Sequence, residues 1–115
     1  MGLEVQLLLI IMNNLTLHDL KTANKNTLEE VYVLNQGLIP MLGSLDSSSE
    51  LKTLVDESSN SFYIEKKGKL AAFILCFREN SEYRSLNYRH FDHKYEKFLY
   101  IDRVGVRKTY RNKGI

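Results

Sequence analysis

The residues best suited to chemistry gather near the C-terminal end of the sequence. Arg103, Arg107, Lys108, Arg111 and Lys113 follow one another there, and no acidic residue comes after Asp102. Arg111 and Gly114 stand three positions apart behind an alternating stretch that ends at Val106. A strand feeding a glycine-bearing turn, with a helix expected just beyond, makes an anion cradle. Successive backbone N–H groups converge, glycine lets an oxygen approach closely, and a helix N-terminus favours negative charge. The ligand implied is a phosphate or diphosphate at the turn that bears Arg111 and Gly114. The plain alternative is a surface turn in which Arg111 and Lys113 merely face water.

A second concentration of reactive types lies between Tyr83 and Tyr95, where aromatic rings interleave with Arg84, Arg89, His90 and His93. This stretch would suit a substrate lid or the face of a homodimer. The competing reading is a short amphipathic helix from Tyr88 to Glu96 that packs its rings on a sheet. His90 and His93 flank Asp92 but lack a third well-spaced ligand, so no metal is expected. Cys76 is the single cysteine and sits in an apolar run, which reads as an inert buried thiol and excludes an intramolecular disulfide. A lone cysteine also fits a reducing, cytoplasmic setting.

The elements that must position these residues can be read from periodicity. Leu15 to Leu20 alternates loosely and suits a first strand. Thr27 with Glu30 forms a capping box that opens a helix, and Leu28, Val31, Leu34 and Leu38 give it one buried face. Gly37 and Pro40 stop it. Ser47 with Glu50 opens a second helix carrying Leu51, Leu54 and Val55. The period then changes to strands, Phe62–Glu65 and Leu70–Phe77, joined by a turn at Lys66–Lys69. The second of these is apolar throughout and should be buried on both faces in the middle of the sheet. Phe98–Val106 is a further strand, reached through a long connection from Glu79 to Lys97. The fold class is therefore α+β, of α/β-sandwich type, with helices flanking a mainly antiparallel sheet.

With these elements in place, Leu99–Ile115 resembles the coenzyme-binding segment of the GNAT N-acetyltransferases, whose pattern is Arg/Gln-x-x-Gly-x-Gly/Ala behind a strand. Arg111 and Gly114 match, and the last small residue of the pattern would follow Ile115. Asn87–Phe91 together with Phe98–Arg103 is similar to a bacterial branch of predicted GNAT enzymes whose substrates are mostly unassigned. The resemblance runs from about Leu15 to Ile115. It implies the acyl-CoA N-acyltransferase fold, incomplete at its C-terminus, with residues 12–115 as the N-terminal portion of one domain. It also implies transfer of an acetyl group from acetyl-CoA to a primary amine of a small molecule or peptide. The backbone of Val104, Gly105 and Val106 would pair with the pantetheine arm, and the Val104 N–H would sit near the thioester carbonyl. Residues 111–115 would hold the diphosphate, and the general acid would be a tyrosine on a later strand.

Strict strand alternation places Tyr100, Asp102, Val104 and Val106 on one face. On that reading Tyr100 and Asp102 project toward the thioester, and Asp102 is the candidate base that frees the amine's lone pair. The competing role for Asp102 is a structural ion pair with Arg103 or Arg89.

Composition bounds the remaining classes. The chain has 115 residues, room for one domain, and its 43% hydrophobic and 26% charged shares suit a folded chain rather than a disordered one. A net charge of +2 is too small to argue for nucleic acid. The apolar run Leu7–Ile11 is far short of the roughly 20 residues a membrane helix needs, so no membrane partner is expected. No Lys or Arg precedes that run, unlike a signal peptide. Residues 1–11 read either as a leader or as an added strand. The alternative from another functional class is a catalytically inactive CoA-binding or interaction module.

Overall fold

A computed structural model describes residues 17–40 and 42–110. Leu15, Thr16, the run Leu7–Ile11 and the cradle residues 111–115 lie outside the described residues. The chain is α+β. Strands β1 (His18–Asp19), β2 (Asn60–Lys66), β3 (Lys69–Arg78) and β4 (Leu99–Val106) form one antiparallel sheet in the order β1-β2-β3-β4. Helices α1 (Lys25–Gln36), α2 (Ser48–Glu57) and α3 (Leu86–Lys94) complete it.

The first strand is shorter than its alternation suggests. Asp19 accepts a hydrogen bond from the Lys21 N–H at 2.9 Å and caps a 3-10 turn over Leu20–Thr22. That turn drops Leu20 fully into the core, so burial of one leucine ends the strand. The first helix also starts earlier than a Thr27 cap would allow. Asn24 is the cap, its side chain accepting the Thr27 N–H at 2.8 Å, and Glu30 stays exposed on the helix surface. Asn is as good a cap as Thr, and position rather than residue type decided between them. The second helix opens as expected. Ser47 accepts the Glu50 N–H at 3.2 Å, while the Glu50 carboxylate reaches back to the Asp46 N–H at 2.6 Å.

The β2–β3 hairpin turns through Lys67 and Gly68, both at positive φ (53° and 75°). Such a two-residue turn matches the twist of the strands it joins. β3 lies in the middle of the sheet and is buried on nearly every residue, as a doubly covered strand must be. Its Leu70, Phe73, Leu75 and Phe77 meet Leu28 and Val31 of α1, Leu51, Leu54 and Val55 of α2, and Tyr88 of α3. The other face carries a smaller cluster of Ile64, Ala71 and Ala72, against which Leu17 and Val106 pack.

The long connection between β3 and β4 is ordered by α3, capped by Ser85. Tyr88 is its anchor. The ring is fully buried, and its hydroxyl donates to the Arg78 carbonyl while accepting the Ser81 N–H at 2.9 Å. Tyr83, Phe98 and Tyr100 close around it with ring centroids 5.5–5.6 Å away. Most of the rings between Tyr83 and Tyr100 are thus packing groups, the amphipathic-helix alternative. Among the described residues no helix is long and apolar enough to cross a membrane.

Candidate active site

The pairing of β3 with β4 is irregular at one place, and that place organises the site. Leu75 lies opposite Arg103, but the next residue, Cys76, lies opposite Ile101, leaving Asp102 as an extra residue in β4. A bulge of this kind bends the strand and re-aims side chains. It also breaks the alternation. Tyr100 lies opposite Phe77 and packs against Tyr88 on the helical side, whereas Val104 lies opposite Ile74 on the other face. Tyr100 and Asp102 therefore do not share a face with Val104 and Val106, contrary to the strict period of two. One inserted residue shifts the phase for everything before it.

The bulge gathers a buried polar chain. The Asp102 side chain is 7% exposed and Arg103 9% exposed, and the Arg103 Nε donates to Asp102 Oδ2 at 2.7 Å. Tyr83 donates its hydroxyl to Asp102 Oδ1 at 2.6 Å. The Arg103 Nη1 donates to Asn35 Oδ1 at 3.0 Å and to the Gly43 carbonyl at 3.2 Å. Asn35 donates in turn to Gln36 and to the same Gly43 carbonyl, and Gln36 accepts the Leu45 N–H at 3.0 Å. The structure thus realises the ion-pair alternative for Asp102, with Arg103 and not Arg89. Two neighbours feel this arrangement electrostatically. Burial, and then the Asp102 charge, push the Cys76 thiol up to about 12. Burial, followed by the bond to Asp102, also raises the Tyr83 phenol.

Of the other expected site residues, Val104, Gly105 and Val106 fall along β4, and residues 111–115 lie outside the described residues. Arg107 donates its N–H to the Ala71 carbonyl at 2.8 Å, which sets the phase of the ladder. Stepping back by two, Gly105 and Arg103 turn their polar backbone toward β3, and Val104 turns its N–H and C=O away from it. β4 is the last strand of the sheet among the described residues, so the Val104 backbone faces an open edge, with a side chain 47% exposed. Gly105 is buried beneath Phe73, and a Cβ there would lie 2.3 Å from the ring's Cε1. Glycine is required by this close approach. Val106 packs on the Ile64–Ala72 cluster. The Arg107 guanidinium is spent on the Leu70 carbonyl, at 2.7 Å, tying the end of β4 to the start of β3. A cleft of about 430 Å³ separates Arg107 from Asn26, Glu29, Glu30 and Val33 of α1.

Sequence reasoning missed Asn35, and it placed Tyr83 in the aromatic stretch without joining it to Asp102. Asn35 carried a signal, since it stands four residues after Val31 and three before Leu38, in the apolar stripe of α1. A polar residue fully buried in such a stripe must have partners. His90 and His93 are exposed on α3, Asp92 is engaged by the Asn80 N–H at 2.7 Å, and among the described residues no group of three or more potential ligands could hold a metal.

An antiparallel sheet with helices over it and a bulged fourth strand, the last of the sheet among the described residues, is the α+β layout of an acetyltransferase-type domain. The profile of the Acetyltransferase (GNAT) family matches residues 25–115, and the chain belongs to that family. No curated protein and no solved structure matches it.

Proposed function

We propose that the chain binds acetyl-CoA along the open edge of β4 and passes the acetyl group to a primary amine of a small molecule or peptide. The observation that carries this reading is the outward-facing backbone of Val104, one residue beyond the Asp102–Arg103 pair. The pantetheine arm lies along β4 from Val104 to Val106 as an added strand would, pairing with the outward-facing Val104 backbone while Gly105 keeps its own N–H and C=O toward β3. The Val104 N–H is the donor that meets the thioester oxygen as charge develops on it. The diphosphate rests on the amides of Arg111, Asn112, Lys113, Gly114 and Ile115. The amine nitrogen attacks the thioester carbonyl, a C–N bond forms as the C–S bond breaks, and CoA leaves to take up a proton.

Asp102 is the proposed base. Tyr83 and Arg103 each occupy one lone pair on its two oxygens, and each carboxylate oxygen has another to offer. Because its side chain is 7% exposed, the amine's proton reaches it through a bridging water. Backbone N–H groups at a strand edge lie in the plane of the sheet, so a thioester there is accessible to groups on the helical side as well. Tyr100 walls that side, its ring against Tyr88 and Phe91. Cys76, buried and unpaired by any disulfide, suits a cytoplasmic enzyme.

Ligand binding to the native state alone adds about 2.7 kcal/mol at a hundred times Kd. Acetyl-CoA at that excess should therefore raise the melting midpoint by roughly 10 °C in a domain of this size, and thiol release should follow on adding amines from a panel. No shift with acetyl-CoA or CoA would sink the reading. A shift without thiol release from any amine would leave a CoA-binding module in its place.

A further inference from the structure

We infer that Arg103 is a positioning residue, one that fixes the Asp102 carboxylate in the bulge and clamps the connection between α1 and α2 against it. The inference rests on the acetyl-transfer reading for its catalytic consequence, but the clamp itself is a matter of geometry. The residues leading from α1 into α2 after Met41 have no regular secondary structure until Ser48. Side chains hold them. Gly43 offers its carbonyl to both Arg103 and Asn35, Leu45 gives its N–H to Gln36, and the Tyr32 hydroxyl donates to the Leu45 carbonyl at 3.4 Å. Leu45 is buried in the core like a peg, with exposed Gly43 and Ser44 beside it.

Arg103 is the group through which this connection meets β4. Its planar guanidinium reaches three acceptors on three separate elements, namely Asp102 on β4, Asn35 on α1 and Gly43 on the connection. An ammonium on a flexible stem cannot reproduce that fork. A nearly buried ion pair adds little net stability over well-packed apolar residues, because desolvation offsets the attraction. What the pair supplies is direction. With Tyr83 on one oxygen and Arg103 on the other, the carboxylate plane has no freedom to rotate, and the bulge keeps one shape.

The test uses the full chain and two independent readouts. Amide hydrogen exchange at residues 42–45, compared with the β2–β3 hairpin, reports the clamp without any need for turnover. Arg103→Lys should speed exchange at 42–45 by about tenfold or more and leave the hairpin unchanged. Kinetics report the positioning of Asp102. Arg103→Lys should lower kcat for thiol release by about tenfold with acetyl-CoA affinity unchanged, and adding it to Asp102→Asn should cost less than about threefold further. A residue that only supports the fold would give additive losses and would weaken acetyl-CoA binding as well.

Unchanged exchange at 42–45, or full additivity with Asp102→Asn, would overturn the inference. Should Arg103→Lys fail to fold, Asn35→Ala removes one arm of the same clamp and should speed exchange in the same segment. If the unsubstituted chain releases no thiol with any amine, the transfer reading fails, and the exchange comparison alone then decides the clamp.

Discussion

The β2–β3 hairpin and the β4 strand share one sheet yet are built on opposite terms. In the hairpin, Phe62, Tyr63 and Ile64 face Ile74, Phe73 and Ala72 in register, and the turn at Lys67–Gly68 has the handedness the strands require. β4 has an extra residue, a nearly buried ion pair, a glycine crushed beneath a ring and an edge with no strand beyond it among the described residues. The hairpin has a bulge of its own, Ala71 being the extra residue between the Ile64–Ala72 and Glu65–Leu70 pairs, but that bulge is filled by apolar burial, with Ala71 packed beside Ile64 and Ala72. β4 departs from regularity at Asp102, Arg103, Val104 and Gly105, the four residues where the proposed chemistry sits. Apolar packing dominates the first region, and the proposed chemistry rests on the second.

Phe73 is where the two regions meet, and substitution there should break the comparison most strongly. Gly105→Ala would put a methyl 2.3 Å from the Phe73 ring. Overpacking of this kind should destabilise by about 1–3 kcal/mol, read from denaturant midpoints. Phe73→Leu in the same chain should restore part of the loss, since it withdraws the edge of the ring. If Gly105→Ala alone proves neutral, the close contact between β3 and β4 is not what requires the glycine.

A smaller effect sharpens the electrostatic side of the contrast. Cys76 on β3 is pushed up to about 12 by burial and by the Asp102 charge, from an ordinary value of 9.0. The folded chain therefore favours the neutral thiol, and an unfolded chain releases the proton more readily. The contribution is fully present below about pH 9 and is lost as pH rises from 9 toward 12, the window set by the two values. Cys76→Ala should flatten that part of the stability–pH curve relative to the parent. A parallel fall in both chains would place the alkaline sensitivity elsewhere, in lysines and tyrosines.

The same division explains what was legible in the sequence. The hairpin, the central burial of β3, the Ser47 cap and the α+β class all follow from local period and turn chemistry, and each stands in the structure. The bulge at Asp102 did not announce itself, because register depends on which residues of β3 lie opposite. With the bulge went the shared face of Tyr100, Asp102, Val104 and Val106. The Asn24 cap and the short β1 were lost for a milder reason. Asn24 and Thr27 are both acceptable caps, and the burial of Leu20 could not be known before the core was assembled. The Asp102–Arg103 pair could be named as an alternative from adjacency, but its partners Asn35, Gly43 and Tyr83 come from three other segments that only the fold brings together.

The central claim is that the Val104 backbone, aimed away from β3, receives the thioester. Val104→Pro tests it most directly. Proline removes that one N–H, which takes no part in the β3–β4 ladder, and edge positions tolerate it when the N–H faces outward. The account predicts a folded chain whose thiol release from acetyl-CoA falls by about 10²–10³-fold, the cost of losing one such donor. A folded Val104→Pro chain that turns over as fast as the parent would contradict it.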